Sequence, residues 1–175
     1  TNRRPGLYRS NYSFMHIFGF EEKFYNDAFS KLEKQVADVP GLQIIATDIS
    51  EDAINISKVN AGIAGVEEMI DFQVCDFEET SIIENREGVV YLNPEYGDRL
   101  GVEEELEKTY KRMGDFFKKK CKGYTGYIFT GNLELAKKIG LKPKRRIEFY
   151  TSKIDCRLFE YELYAGTKDI SKQQV

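Results

Sequence analysis

Three short β-rich runs, each ending on a polar side chain, are the feature that most narrows the folds open to this chain. Residues 42–47 (LQIIAT) run into Asp48, residues 69–75 (MIDFQVC) into Asp76 and Phe77, and residues 88–92 (GVVYL) into Asn93 and Pro94. Helical patterns separate them. Ser50 is suited to cap a helix whose first turn holds Glu51 and Asp52 and whose one face carries Ile56, Val59 and Ile63. Residues 102–122 repeat Leu106, Tyr110, Met113 and Phe117 at helical spacing, with acids at the start and Lys118, Lys119 and Lys120 near the end. A strand at 126–130, a short helix capped by Asn132 and stopped at Gly140, and β-rich runs at 145–150 and 154–165 complete the pattern. Alternating strands and helices closed by a hairpin predict an α/β fold with an open, mostly parallel sheet and one antiparallel strand. In such sheets ligands bind beyond the carboxyl ends of the strands, where Asp48, Asp76 and Asn93 all fall.

The third run carries the sharpest chemistry. Pro94 fixes its own φ and pushes Asn93 towards an extended conformation, so the Asn93 amide is held on a stiff backbone. Tyr96 offers a flat ring beside it, and Gly97 lets the chain turn away. An amide, a proline carbonyl and an aromatic plane within four residues suit a planar group that carries an exocyclic NH2. On the dipeptide alone an Asn-Pro turn after a strand is the preferred reading, and its context raises the functional one above it. A strand-end aspartate such as Asp48 can accept from both hydroxyls of a ribose, although a lone one is as often a turn residue. Two consecutive strands ending in Asp strengthen the nucleotide reading.

The remainder of the chain sets limits. Its 175 residues, 41% hydrophobic and 31% charged, suit one globular domain with a real core. A net charge of −3 leaves nucleic-acid binding to local patches. One such patch is Lys137, Lys138, Lys142, Lys144, Arg145 and Arg146, a run without an acid that reads equally as a solvated face or as an RNA phosphate contact. Cys75, Cys121 and Cys156 are scattered, and with the single histidine, His16, they form neither a metal-ligand spacing nor a disulfide framework. No apolar run reaches the length of a membrane span. The expectation is a soluble, cytoplasmic protein without metal. Residues 1–20 read as irregular, with Tyr8, Tyr12, Phe14, Phe18 and Phe20 lying over a core, and a helix is predicted over 21–38.

Taken together, the order strand-Asp48, strand-Asp76-Phe77, strand-Asn93-Pro94-x-Tyr96, terminal hairpin resembles the class I S-adenosylmethionine (SAM) dependent amino-methyltransferases, with their Rossmann-like fold. The words NPEYGDRLG (93–101), Thr130-Gly131-Asn132 before a helix, and IDCRLFEY (154–161) are similar to the THUMP-associated large-subunit rRNA guanine-N2 methyltransferase family, in that family's own order from about Pro5 to Tyr161. The resemblance implies that Asp48 binds the SAM ribose and Ile49 packs on the adenine. It implies that Asp76 accepts from the adenine amino group and Phe77 flanks the ring. Asn93, which also borders the cofactor, and the Pro94 carbonyl would accept the two N–H bonds of the target amine, with Tyr96 stacked on a flipped base. The implied partner is ribosomal RNA, presented as an unpaired or extruded nucleotide.

Two departures from the family pattern carry expectations of their own. Glu95 stands where a second proline is usual, which opens the identity of the target base. The glycine-rich loop and first strand of the family precede the positions that match Pro5-Gly6-Leu7, and that strand normally lies between those ending at Asp48 and Asn93. The chain is therefore expected to be part of a longer protein whose N-terminal segment carries the loop and a THUMP module, and its sheet is expected to lack a central member. Three functions compete: rRNA guanine methylation, methylation of DNA adenine or protein glutamine, and a catalytically silent RNA-binding domain.

Overall fold

The computed structural model describes residues 2–4, 9–83, 86–95, 103–151 and 154–164. The chain divides into two compact units, Thr1–Ser81 and Ile82–Val175. No Pro-, Gly- or Ser-rich run announces that boundary in the sequence.

The first unit begins with an aromatic cluster. Tyr12 stacks on Phe14 at 5.0 Å, and Tyr25 lies 6.1 to 6.5 Å from the rings of Tyr12, Phe14 and Phe20. Helix α1 (Glu22–Glu33) contributes Tyr25 and Phe29 to this cluster. It ends five residues short of the predicted boundary, because Gln35 and Val36 bond back three residues to Leu32 and Glu33 and tighten the chain into turns. Strand β1 (Ile44–Asp48) pairs in parallel with β2 (Ile70–Val74), so that Asp48 lies beside Val74. The crossover is helix α2 (Glu51–Ile63), which packs on both strands and is capped as predicted, the Ser50 hydroxyl accepting from Ala53 N–H at 3.3 Å. Ile54 and Ala61 are its buried positions. Ile56, Val59 and Ile63 do share a face, but that face is exposed by 63, 64 and 65%. Phe14 and Phe18 are exposed too, contrary to the expectation that the leading aromatics lie over a core.

In the second unit β3 (Val89–Leu92) lies parallel to β4 (Thr125–Thr130), and the hairpin of β5 (Arg145–Thr151) and β6 (Ile154–Glu162) adds to β4 antiparallel, giving the order β3-β4-β6-β5. Between β3 and β4 runs α3 (Glu103–Lys120), whose face of Leu106, Tyr110, Met113 and Phe117 is buried as the spacing predicts. It meets the sheet where β4 is bare: a Cβ on Gly126 would stand 2.7 Å from the Phe117 ring. Gly114 does the same for α4 (Leu133–Ala136) and the turn after it, since a Cβ there would collide with the Ile139 carbonyl. Gly140 closes that turn at φ 66°, a left-handed conformation that glycine adopts without strain. Thr130 pairs with Arg157, and β5 and β6 continue past that point.

The strand complement and directions are those predicted, but in two sheets, β1-β2 and β3-β4-β6-β5. Among the described residues β1 and β3 each have one hydrogen-bonded neighbour and one open edge. No described helix is long and apolar enough to cross a membrane.

Candidate active site

In the first unit the two acids fall at one end of one parallel pair. The backbone N–H of Cys75 donates to the Asp48 carbonyl at 3.0 Å, which extends the ladder to the strand ends. Beyond it Asp48 Oδ1 accepts from Ser50 N–H at 2.8 Å, fixing the carboxylate in a tight turn at the start of α2. Asp48 is exposed, and its Oδ2 has no donor among the described residues. Ile49 stands 75% exposed beside it. Asp76 caps the short 3-10 turn Phe77–Glu79, its Oδ1 accepting from Glu78 N–H at 2.9 Å, with Phe77 half-buried. The hydroxyls of Thr47 and Thr80 bond at 2.8 Å and tie the end of β1 to the end of that turn. The sequence reading missed this clasp, which links residues 33 positions apart. A fixed carboxylate with spare acceptor capacity and an apolar side chain in solvent fit a ribose and an adenine face.

In the second unit Asn93 and Pro94 follow β3 at the carboxyl end of the parallel pair β3-β4, with Asn93 exposed. Tyr96 lies outside the described residues. Behind the loop, Tyr110 is fully buried on α3, and its hydroxyl lies 3.4 Å from the Glu95 carbonyl and 2.6 Å from Thr130 Oγ1. Thr130 Oγ1 in turn accepts from Asn132 N–H at 3.0 Å, while Asn132 Oδ1 caps α4 through Leu135 N–H. The sequence reading placed Tyr110 on the core face only. The signal for more was present, because a buried tyrosine hydroxyl must find a partner.

The basic run is less free than its sequence suggests. Lys137 pairs with Glu134 at 2.7 Å, Lys138 with Glu107 at 2.8 Å, Lys144 with Glu162 at 3.3 Å and Arg145 with Glu160 at 3.6 Å, while Arg146 lies over the Phe159 ring. The hydrogen bond from Lys138 holds the Glu107 carboxyl below its ordinary range, and the one that Lys144 donates to Glu162 holds the ammonium above its own. His16 is exposed and meets Asn11 Oδ1 at 2.7 Å.

Paired strands with acids at their carboxyl ends, a third strand ending in Asn-Pro and a terminal antiparallel hairpin define an α/β domain of the methyltransferase class. The match to known proteins agrees: over residues 1–160 the chain belongs to the RMKL-like methyltransferase-domain family. It is 30% identical over 166 residues to a ribosomal RNA large subunit methyltransferase K/L of Allochromatium vinosum, covering 91% of this chain and 22% of that protein. Among solved structures it is similar to one described as a possible methylase from Clostridium difficile 630, with TM-score 0.79, 26% identity, and 96% of this chain and 44% of that one covered. A second, described as a predicted N6-adenine-specific DNA methylase from Listeria monocytogenes, gives TM-score 0.73 at 28% identity, over 91% of this chain and 40% of that one. The chain thus spans less than half the length of these relatives.

Proposed function

We propose that this chain is the catalytic part of a SAM-dependent methyltransferase that places a methyl group on the exocyclic N2 of guanine in ribosomal RNA. The observation that carries the reading is the stiff Asn93-Pro94 corner at the carboxyl end of β3, exposed at Asn93 and half-buried at Pro94. An aromatic amine is a weak nucleophile because its lone pair is delocalised into the ring. Asn93 Oδ1 and the Pro94 carbonyl accept its two N–H bonds, turn the lone pair out of the ring plane and stabilise the positive charge that develops as the N–C bond forms. SAM, when bound, would supply the methyl from its sulfonium, the S–C bond breaking to leave S-adenosylhomocysteine as the N–C bond forms and the extra amine proton passing to water. Asp48 holds its ribose, Ile49 covers one face of the adenine, and Asp76 and Phe77 recognise the adenine edge and face. Tyr96 stacks on the target base. The ribosomal substrate is favoured by the name of the Allochromatium vinosum relative.

The full-length protein adds the glycine-rich loop, a first strand and an RNA-binding THUMP module. The open edges of β1 and β3 and the exposed stripe on α2 support this, as does the greater length of the relatives. Lys137, Lys138, Lys142, Lys144, Arg145 and Arg146 make the weaker RNA contact, four of them by exchanging a carboxylate partner for a phosphate.

The test is calorimetric titration of the full-length protein with S-adenosylhomocysteine, followed by methyl transfer to rRNA, DNA and protein pools. Asn93→Ala is expected to lower transfer to rRNA by about 10²–10³-fold and to weaken cofactor binding less than Asp48→Ala does. Asp48→Ala is expected to lower cofactor affinity by about tenfold, the effect of losing one good polar contact. Transfer to DNA or glutamine in place of rRNA, or cofactor binding without transfer, overturns the substrate or the activity respectively.

A further inference from the structure

We infer that Tyr110 is a positioning residue for the Asn93–Glu95 loop, acting through a one-way chain of hydrogen bonds that begins at Asn132. The inference rests on the proposed methyl transfer and extends it to residues that touch neither substrate nor cofactor.

The direction of the chain follows from which groups can donate. The Asn132 N–H can only donate, so Thr130 Oγ1 accepts at its end of the 3.0 Å bond. The Glu95 carbonyl can only accept, so the Tyr110 hydroxyl gives its single proton there, across 3.4 Å. The 2.6 Å bond between the two hydroxyls must then carry the Thr130 proton to the Tyr110 oxygen. Along these three bonds the donors point the same way, so each bond polarises the next in the same sense. Tyr110 and Thr130 are both 0% exposed, so water does not substitute for either hydroxyl.

The anchors of this chain are rigid. Asn132 is held as the cap of α4, Thr130 ends β4 between β3 and β6, and Tyr110 is packed in the middle of α3. The loop at the other end is exposed at Asn93 and Glu95. The Glu95 carbonyl lies one peptide plane beyond the Pro94 carbonyl, and the two planes meet at Glu95 Cα, so anchoring it removes freedom from the backbone immediately after the amine acceptor and narrows the acceptor's aim. The 3.4 Å length is long for such a bond, as catalytic-loop bonds commonly are before the substrate closes them. This gives Thr130-Gly131-Asn132 a role beyond capping a helix.

The experiment compares full-length wild type, Tyr110→Phe, Thr130→Val, Thr130→Ser and the Tyr110→Phe/Thr130→Val double variant. Tyr110→Phe is expected to lower kcat by about tenfold, the scale of one lost orienting bond, with KM for RNA and affinity for S-adenosylhomocysteine within about twofold. Thr130→Val is expected to match it, the double variant to be no worse than either, and Thr130→Ser to restore wild-type kcat. Unchanged kcat in Tyr110→Phe, additive losses in the double variant, or failure of Thr130→Ser to rescue would overturn the inference. If the wild-type protein transfers no methyl group, the proposed function fails instead. The positioning claim is then decided by amide exchange at Asn93 and Glu95, which Tyr110→Phe should accelerate by about fivefold or more, and equal exchange rates would overturn it.

Discussion

The two units are built from the same kind of parallel strand pair, yet one closes a core and the other does not. In the second, α3, α4, β4 and β6 bury Tyr110, Phe117, Ile128, Ile139 and Tyr161 almost completely. In the first, only Ile54 and Ala61 among the described residues are buried, and the apolar stripe of α2 faces out. The difference lies in the number of strands behind the covering helix. The second unit has a helix on one face of four strands, whereas the first has α2 against two. Two strands and a helix are near the lower limit of what is stable alone.

The largest expected effect that would break this contrast is in the second unit. Phe117→Ala removes a ring that meets Tyr161 at 5.8 Å and fills the space above Gly126, and is expected to cost about 3–5 kcal/mol in denaturant unfolding. A loss below 1 kcal/mol would mean that this core is not close-packed.

Thiol chemistry gives a second, smaller measure. Burial pushes the Cys121 thiol up to about 12, whereas Cys75 in the first unit is only half-buried. Alkylation at pH 8 is expected to be at least about 100-fold faster at Cys75 than at Cys121 or Cys156, since it is the exposed thiolate that reacts. The same shift sets a pH dependence. The unfolded chain gives up the Cys121 proton near 9.0 and the folded one near 12, so this contribution to stability is intact below pH 9.0 and is lost as pH rises towards 12. The slope is about 1.4 kcal/mol per pH unit in that window. Burial raises the Tyr161 hydroxyl in the same direction, which extends the loss to still higher pH.

The smallest effect is the most discriminating. Ile56→Ser on the outward stripe is expected to change the stability of this chain by no more than about 0.5 kcal/mol. In the longer protein proposed above, where a further segment would cover this stripe, the same change is expected to cost about 2–4 kcal/mol, as for a buried position. Equal costs in the two settings would make the stripe ordinary surface.

Much of this was legible in the sequence because it is local. Ser50 and Asn132 cap, Gly140 stops and Tyr110 faces inward as short-range spacing dictates. Periodicity identified the face of Ile56, Val59 and Ile63 but could not say whether anything covers it. The run from Lys137 to Arg146 looked free because its partners Glu107, Glu160 and Glu162 come from α3 and β6, beyond any sequence window. The same distance hid the link from Tyr110 to Thr130, and the Thr47–Thr80 clasp.

The lengths of the strands also set a direction of traffic. β5 and β6 run three residues beyond the last pair with β4, an overhang of about 10 Å at the end where Asn93 sits. That ridge walls off one flank of the exit from β4, while β3, the edge strand on the other side, has no such extension. Whatever approaches Asn93 therefore meets a raised kerb on the hairpin side, set by unequal strand lengths alone.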